Sequence, residues 1–491
     1  MEQKSIVFSS AADLAENIRS GKLTSLEVVT AFFEQIDKYN HAYNPVVTLN
    51  RAQALNRARE ADGALRKGET WGKLHGLPIT IKDNFKTKGI LTTSGYLPLK
   101  DHVPAGDAEI VKLLLAEGCI IIGKTNLSTL AMDMQADNPV FGRTNNPWDI
   151  SKTSGGSSGG CATALATGMT PLSFGNDLAG SIRLPASFCG VYGFRPTYGV
   201  ASLQGIQTDP KETVNGIRAM ACAGPLARTI EDLELALTII ANPTNEFQRL
   251  VPVSRNFDVP DIKKMRIAWT DEFGGIPVDH EIKRLIGEYT ARLETAGATV
   301  TKVIPDIDFY KVWKTWGSIV GMQGGYQTSN FSRRLGSFFT KGVLKEVPMH
   351  QNIVGPISVE KYMAAAAFQD TVITQIENFF NEYDAWICPV SSTTAFNHHR
   401  PSKSYGNFSV YNDPLIVNEN KVHYYMATQA YTIPFSVTES PVLTLPIGMS
   451  DNQLPIGVQL VGRRYEDFKL LKLGKTLNKF TDRIEYPLSK N

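Results

Sequence analysis

The chain has 491 residues, of which 42% are hydrophobic and 20% charged, a balance typical of a soluble globular protein with a large core. Its net charge of +2, without any block of like charge, argues against a nucleic-acid-binding protein. The 5 cysteines are scattered among apolar neighbours, which predicts buried free thiols rather than disulfides or a zinc site. The N-terminus has no signal-peptide pattern and no apolar run reaches membrane-spanning length, so we expect no membrane span and a cytoplasmic location.

The N-terminal part of the chain predicts three helices. The first spans 11–20, the second begins at a capping box formed by Thr24 and Glu27, and the third spans about 52–67. None of them carries residues with obvious chemistry. We therefore expect these helices to cover one face of a sheet.

The first residue with a candidate chemical role is Lys82. It ends an apolar run that predicts a buried strand at 77–82, and Asp83 and Asn84 follow it directly. Most lysines at strand ends reach solvent, but a fully apolar strand with polar partners at its end favours a buried amine. Burial would lower the pKa of that amine towards neutrality.

A polar loop after the next strand is a candidate wall of a substrate pocket. It follows an amphipathic helix predicted at 107–117 and a short buried strand at 119–123. Loops at strand ends often carry binding residues. The side chains that we single out are Asn126, Met132, Asp133, Met134 and Gln135. The alternative, that each of them only packs or turns the chain, stays open.

The stretch 151–200 combines many glycines with small hydroxyl residues. Apolar segments such as CATALATG and MTPLSFG lie between the glycines, so the stretch predicts close backbone packing rather than a flexible linker. It contains GGSSGG at 155–160 and GNDLAGSIR at 175–183. A phosphate-binding P-loop is excluded because no Gly-Lys-Ser/Thr follows the glycines.

Strand and helix signals alternate through the rest of the chain. Helices are predicted at 229–242, 279–296 and 465–480, and strands at 265–269, 299–303, 383–389, 441–448 and 454–462. The segment 265–303 has the strand–helix–strand order of a βαβ unit. The fold class that this alternation predicts is α/β.

The segment 306–430 differs from its surroundings because it is rich in aromatic residues and poor in strand signals. Its aromatic residues include Phe309, Tyr310, Trp313, Trp316, Tyr326, Phe331, Phe338, Phe339, Tyr362 and Phe368. One interpretation is an apolar cap over an active site that favours hydrophobic or aryl substrates. The other is that these side chains fill the core.

Together, GLPITIKDN, GGSSGG and GNDLAGSIRLPASFCGVYGFRP resemble the amidase signature family. The order Lys, Ser, Ser and the 24-residue step from Ser157 to Ser181 fit its pattern, and the likeness covers nearly the whole chain. It implies a single domain over 1–491, with the core signature at 76–228 and a variable substrate-cap region at about 306–430. It also implies an α/β/α sandwich, with a mixed central sheet of about a dozen strands flanked by helices.

The resemblance further implies a cofactor-free amide hydrolase with a Ser–Ser–Lys triad and no metal. Ser181 is the implied nucleophile, Ser157 the bridging serine beside a cis peptide bond, and Lys82 the base. Elementary chemistry agrees, because a neutral lysine can accept the proton of one serine through the hydroxyl of another. None of the 8 histidines, the usual bases, lies in the signature.

The residues around the nucleophile supply candidate oxyanion donors. These are the backbone N–H groups of Leu178, Ala179, Gly180 and Ser181, with Ser181 expected to open a helix. The family usually has two glycines before the nucleophile, so the methyl group of Ala179 is expected to narrow the acyl site.

Three further residues have expected support roles. Asp177 and Arg183 are expected to anchor the nucleophile loop as a buried ion pair rather than to act on the substrate. Ser158 is expected to orient the turn at the cis peptide bond or to bind the lysine.

Alternative functions stay open. The leading hypothesis is hydrolysis of a small-molecule amide, hydrophobic or aryl, by a protein that the family suggests to be a homodimer. The glutaminase subunit of a tRNA-dependent amidotransferase fits less well, because Leu184 follows GSIR where that subunit usually has glutamine. A non-catalytic scaffold on the same fold is disfavoured because Lys82, Ser157 and Ser181 are all present.

Overall fold

The centre of the fold is an 11-stranded mixed sheet in a computed structural model, which describes residues 3–206, 219–242, 250–258, 261–325, 329–340, 342, 344–405 and 408–489. The strands described are β1 Val46–Leu49, β2 Pro78–Lys82, β3 Ile120–Thr125, β4 Leu172–Asp177, β5 Tyr192–Arg195, β6 Cys222–Ala227, β7 Arg266–Trp269, β8 Thr299–Lys302, β9 Ala385–Pro389, β10 Lys403–Tyr405, β11 Phe408–Val410, β12 Leu415–Val417, β13 Asn420–Val422, β14 Val442–Met449 and β15 Pro455–Val461. Their order in the sheet is β1-β3-β2-β4-β6-β5-β14-β15-β9-β7-β8, and β10–β13 form two separate hairpins. The predicted α/β class with a mixed sheet of about a dozen strands is confirmed.

Helices flank this sheet. They are α1 Gln3–Phe8, α2 Ala11–Arg19, α3 Ser25–Tyr43, α4 Arg51–Arg66, α5 Glu109–Ala116, α6 Gly159–Ala166, α7 Arg183–Cys189, α8 Ile230–Ile240, α9 His280–Thr295, α10 Phe309–Gly325, α11 Asn330–Thr340, α12 Pro348–Val354, α13 Val359–Phe379, α14 Tyr424–Gln429, α15 Ile433–Val437 and α16 Asp467–Leu477. The central strands β2, β3, β4 and β6 are buried along their whole length. Strands covered by helices on both faces read as continuous apolar or small-residue runs, which is why LPITI and CIIIG stand out in the sequence.

Two local predictions can be checked at atomic detail. The N–H of Glu27 donates to the Thr24 hydroxyl at 3.1 Å, and the N–H of Thr24 donates to the Glu27 carboxylate at 2.7 Å, so the capping box at α3 is confirmed. Strands β7 and β8 pair in parallel and α9 connects them, which confirms the βαβ unit. All five cysteines are free and buried, as expected from their apolar neighbours.

The aromatic-rich segment is mainly helical and divides into buried and exposed side chains. Phe309, Trp313 and Trp316 are buried, whereas Tyr310, Phe331 and Phe338 are exposed. Tyr362 and Phe368 are partly buried against the core. Tyr326 and the side chain of Phe339 lie outside what the structure describes. Neither interpretation of this segment holds for all its aromatic residues, because some fill the core and others face solvent.

The parallel pairing of β2 with β4 determines where the signature residues meet. Ile81 of β2 lies opposite Phe174 of β4, and Lys82 and Asp177 are the last residues of their strands. The carboxyl ends of parallel strands lie at the same edge of a sheet, which in α/β folds is the edge where ligands bind. Within the described residues, no helix is long and apolar enough to cross a membrane.

Candidate active site

Lys82 is fully buried at the carboxyl end of β2. Its Nζ donates a hydrogen bond to the Oγ of Ser157 at 2.6 Å. Burial lowers the pKa of Lys82 to about 7, against the raising influence of Cys161 and Asp177. Near neutral pH a large share of this amine is therefore uncharged, which is the form that can accept a proton.

The peptide bond between Gly156 and Ser157 is cis, as the resemblance implies. The loop that contains Asp133 and Gln135 passes directly over it. A Cβ at Gly156 would lie 2.6 Å from the backbone nitrogen of Gln135 and 2.8 Å from the carbonyl oxygen of Asp133, so only glycine fits there. The glycines of GGSSGG thus serve close backbone packing.

Ser181 lies in the turn between β4 and α7. Its side of the site retains some exposure, at 6%, whereas Lys82 and Ser157 have none. The carbonyl oxygen of Ser181 accepts a hydrogen bond from the N–H of Ser158 at 3.1 Å, which ties the two serine-bearing segments together. Within the described part of the chain, the Ser181 hydroxyl has no hydrogen-bond partner. Of the three side chains, the one implied as nucleophile is the one that a ligand can reach.

Ser158 contributes through its backbone. Its hydroxyl is buried and makes no hydrogen bond within the described residues, so it does not bind Lys82. A Cβ at Gly175 would lie 2.6 Å from this hydroxyl, which places it tightly against β4. The expected hydrogen bond from Ser158 to the lysine is therefore corrected to a backbone link with Ser181.

Asp177 and Arg183 form a fully buried bidentate ion pair beneath the nucleophile turn. Arg183 Nη2 donates to Asp177 Oδ1 at 2.8 Å, and Nε donates to Oδ2 at 3.0 Å. Burial alone would raise the pKa of Asp177, but the guanidinium groups of Arg183 and Arg195 outweigh it and hold that pKa well below its usual range. Arg183 also donates to the carbonyl of Thr432 and to the side chain of Gln459, each at 2.8 Å. These contacts match an anchoring role.

The predicted set of four oxyanion donors needs a correction. The N–H of Gly180 donates to Asp177 Oδ1 at 2.8 Å and is not available to a ligand. The N–H groups of Leu178, Ala179 and Ser181 donate to no protein acceptor in the described part of the chain, so three candidates remain. Helix α7 begins at Arg183, two residues later than expected, because Asp177 also binds the N–H of Ile182.

Two side chains from distant segments hold the carbonyl groups of this turn. The indole N–H of Trp316 donates to the carbonyl of Leu178 at 3.1 Å, and the hydroxyl of Thr432 donates to the carbonyl of Ala179 at 2.6 Å. In a trans peptide the C=O and N–H point in opposite directions. Trp316 therefore fixes the direction in which the N–H of Ala179 points.

Gly180 occupies a position that requires glycine. Its φ of +110° is one that other residues rarely adopt, and an added Cβ would lie 2.7 Å from the Thr432 hydroxyl. Ala179, in contrast, keeps its methyl group buried without a positive φ. The replacement of the family's first glycine by alanine is therefore sterically tolerated here.

The structure separates the loop residues singled out from the sequence. Asn126 clips the loop together by donating to the carbonyl of Gly142 and to the hydroxyl of Thr144, each at 3.0 Å. Met134 is buried and Met132 is 40% exposed. These contacts favour a packing or surface role for Asn126, Met134 and Met132.

Asp133 and Gln135 contact a distant segment instead. Asp133 accepts hydrogen bonds from the hydroxyls of Tyr411 and Tyr424. Gln135 pairs with the backbone of His399 through its amide nitrogen at 2.8 Å and its amide oxygen at 2.9 Å. The Asp133 carboxylate is the charged group of this loop that stands among aromatic side chains.

Sequence reasoning did not identify the partners that come from the C-terminal third of the chain. These are Tyr411, Tyr424, Thr432 and Gln459, which contact residues up to 291 positions away. No spacing or motif links them to the signature, so a single sequence carries no signal for them. Among the described residues, no group of three or more His, Cys, Asp or Glu side chains is placed to hold a metal ion.

The mixed sheet, the buried lysine–serine pair and the anchored serine turn describe an α/β protein with a candidate hydrolytic site. A family model described as Amidase matches residues 27–471. The chain therefore belongs to the Amidase family.

Known proteins similar to the chain come from more than one functional group. A glutamyl-tRNA(Gln) amidotransferase subunit from Fusobacterium nucleatum subsp. nucleatum is 30% identical over 503 residues, which cover 97% of each chain. A structure described as amidase superposes with a TM-score of 0.78 at 25% identity, covering 96% of this chain and all of the other. A bacterial aryl acylamidase superposes with a TM-score of 0.79 at 23% identity over 96% of each chain, which shows the shared fold alone.

Proposed function

We propose that this chain hydrolyses carboxamides through an acyl-enzyme on Ser181, with Ser157 as the relay and Lys82 as the base. The observation that carries the proposal is the buried 2.6 Å contact between Lys82 Nζ and Ser157 Oγ. Membership of the Amidase family supports the reaction class. A buried amine with a lowered pKa has a folding cost, and a site that needs a neutral base gives that cost a purpose.

The proposed first half-reaction begins when the neutral Lys82 amine takes the proton of Ser157. Ser157 takes the proton of Ser181 as the Ser181 Oγ attacks the carbonyl carbon. The N–H groups of Leu178, Ala179 and Ser181 are the donors proposed to stabilise the resulting oxyanion. The C–N bond then breaks, and the leaving amine receives the proton back from Lys82 through Ser157.

The second half-reaction repeats the relay with water. Water gives its proton to the relay and attacks the acyl ester on Ser181. The ester C–O bond breaks, the proton returns to the Ser181 oxygen, and the acid product leaves as a carboxylate. Each step uses the same three side chains, and none requires an oxidant or a metal.

The proposed substrates are small amides with a hydrophobic or aryl part. Trp316, which binds the Leu178 carbonyl, places an aromatic surface beside the nucleophile turn. We extend the proposal to the cap: the segment 306–430 contributes to substrate choice through its buried residues. Trp316→Ala should then change the relative rates for alkyl and aryl amides, and unchanged relative rates would contradict the cap.

The direct test is covalent labelling. Treatment with a fluorophosphonate, followed by intact-mass analysis, should add one adduct to the wild type and none to Ser181→Ala. Ser154→Ala is the matched control, because its hydroxyl lies in the same signature but makes only long contacts, at 3.3 and 3.4 Å. An adduct on Ser181→Ala would refute the proposed nucleophile. So would the absence of any adduct on the wild type with both this probe and a small sulfonyl fluoride.

A second candidate is the glutaminase subunit of an amidotransferase. What favours it is the identity of 30% across 97% of the chain with a glutamyl-tRNA(Gln) amidotransferase subunit. A kcat/KM for L-glutamine above that for aryl amides, together with co-purification of small partner subunits, would establish this candidate. The reverse ranking, in a chain that purifies without partners, would support the free amidase.

A further inference from the structure

A chain of contacting rings connects the two ends of the nucleophile segment. We call it the aromatic arc, and its members are Trp316, His350, Tyr425, Tyr424, Phe396 and Phe188. Successive ring centroids lie 6.1, 4.1, 5.0, 5.9 and 5.9 Å apart. One end binds the Leu178 carbonyl through Trp316, and the other end is Phe188 in α7. The arc thus begins three residues before Ser181 and ends seven residues after it.

One carboxylate, that of Asp133, stands against the middle of this arc. The hydroxyl of Tyr424 donates to its Oδ1 at 2.7 Å, and the hydroxyl of Tyr411 donates to its Oδ2. Tyr411 stacks on Tyr424 with centroids 3.9 Å apart. The backbone of Asp133 packs on Gly156, the residue before Ser157. Asp133 is therefore tied both to the arc and to the loop that carries the proposed relay.

The charge of Asp133 is not balanced by the protein. Within the described residues, no Lys, Arg or His lies within ion-pair distance of its carboxylate. Burial raises the pKa of Asp133 to about 6, although the hydroxyls of Tyr411 and Tyr424 oppose that rise, so the group is mainly ionised above neutral pH. A partly buried carboxylate without a cation is costly, and such a group is normally paired.

The carboxylate still has capacity for one more donor. Two oxygens offer about four acceptor positions, and the two tyrosine hydroxyls and the N–H of Met134 occupy three of them. Aromatic faces around a carboxylate also favour a cation, because the ring quadrupole attracts positive charge. The site lacks a positively charged donor and is built to receive one.

We propose that Asp133 binds a protonated amine of the substrate, so that the preferred substrates are amides that carry both an apolar body and an ammonium group. The apolar body packs along the aromatic arc and the ammonium group pairs with Asp133. This inference rests on the proposed amide hydrolysis. It narrows the substrate class from hydrophobic amides to amino-substituted ones.

The alternative role of Asp133 is a purely structural clamp between its loop and the segment around Tyr411. Both roles predict some damage when the carboxylate is removed, so total activity does not separate them. The ratio of two matched substrates does. The pair 6-aminohexanoyl and heptanoyl p-nitroanilide differs only by an ammonium group in place of a methyl group, and shorter and longer pairs vary the reach.

The wild type should prefer the amino member of at least one pair by about tenfold in kcat/KM, the value of one hydrogen bond to a charged group. Asp133→Asn should lose that preference while its kcat/KM for the neutral member stays within about threefold of the wild type, a change of less than about 1 kcal/mol. Asp137→Asn is the matched control, because it removes an acidic charge from the same loop without contacting the tyrosines. It should keep the preference.

A measurement on the wild type alone protects the test against a variant that does not fold. Hexylammonium should inhibit hydrolysis of the neutral anilide competitively and at least about tenfold more strongly than hexanol. Equal inhibition, or equal rates for both members of every pair, would overturn the inference while leaving amide hydrolysis in place. A chain that cleaves no anilide and takes no fluorophosphonate adduct would instead contradict the proposed function.

Discussion

The Nζ of Lys82 and the Oγ of Ser157 lie 2.6 Å apart, and neither residue has any exposed surface. A lysine in this position cannot keep its charge as easily as in water, because the nearest carboxylate, that of Asp177, is already paired with Arg183. The pair therefore connects stability and chemistry in one contact. Two predictions depend on it.

The first prediction concerns the pH dependence of catalysis. If Lys82 acts as the base, kcat/KM should rise with pH through about 7, where its amine loses the proton. Lys82→Ala should remove that rising limb and lower the rate, whereas Lys421→Ala, an exposed lysine, should leave the profile unchanged. The measurement is kcat/KM on a neutral anilide from pH 5 to 10. A rising limb that persists in Lys82→Ala would assign the titration to another group.

The second prediction concerns stability. Between about pH 7 and 10.5 the unfolded chain keeps the Lys82 proton and the folded chain does not, so the unfolded state binds more protons and the free energy of unfolding rises with pH. The full rise contributed by this group is up to about 5 kcal/mol. Urea denaturation at pH 7 and pH 10 should show a larger increase for the wild type than for Lys82→Met. Equal increases would mean that Lys82 folds in its charged form.

The third prediction concerns the anchor of the nucleophile turn. Asp177→Asn leaves the Arg183 guanidinium buried without its counter-charge, and breaking a buried pair in this way typically costs about 3–5 kcal/mol. Removing the exposed Arg284 by Arg284→Ala should cost less than about 1 kcal/mol, since exposed pairs contribute little. Denaturant titrations compare the two. A similar small loss in both variants would show that the buried pair does not stabilise the turn.

The fourth prediction uses two tryptophans of α10. Trp316→Phe removes the hydrogen bond to the Leu178 carbonyl and frees the peptide that orients the Ala179 N–H, so kcat should fall up to about tenfold with little change in KM. Trp313→Phe removes a comparable bond to Ala430 and should leave kcat nearly unchanged. Equal effects of both substitutions, or an effect confined to KM, would contradict an orienting role for Trp316.

Part of this molecule could be predicted from its sequence because the relevant signals are local. The apolar run before Lys82 predicts the buried strand, and the Thr24–Glu27 spacing predicts the helix start. The structure brings Lys82, Ser157 and Ser181 to one edge of the sheet, while their chemical roles stay predictions.

The remainder depends on contacts between segments far apart in sequence. Tyr411 and Tyr424 reach Asp133 from a hairpin region and from α14, and no periodicity in either segment indicates that contact. The engagement of the Gly180 N–H did have a local signal, because short carboxylates such as Asp177 often bind nearby backbone N–H groups. That signal reduces the predicted oxyanion donors from four to three.

The contacts of Arg183 also determine when the site can first work. Its guanidinium holds the nucleophile turn only when Thr432 and Gln459 are in place, and Gln459 lies in β15, close to the end of the chain. A nascent polypeptide on the ribosome carries Ser181 long before it carries β15. Hydrolytic capacity should therefore arise only as synthesis finishes, and prematurely terminated products that end before β15 should be inert towards amides.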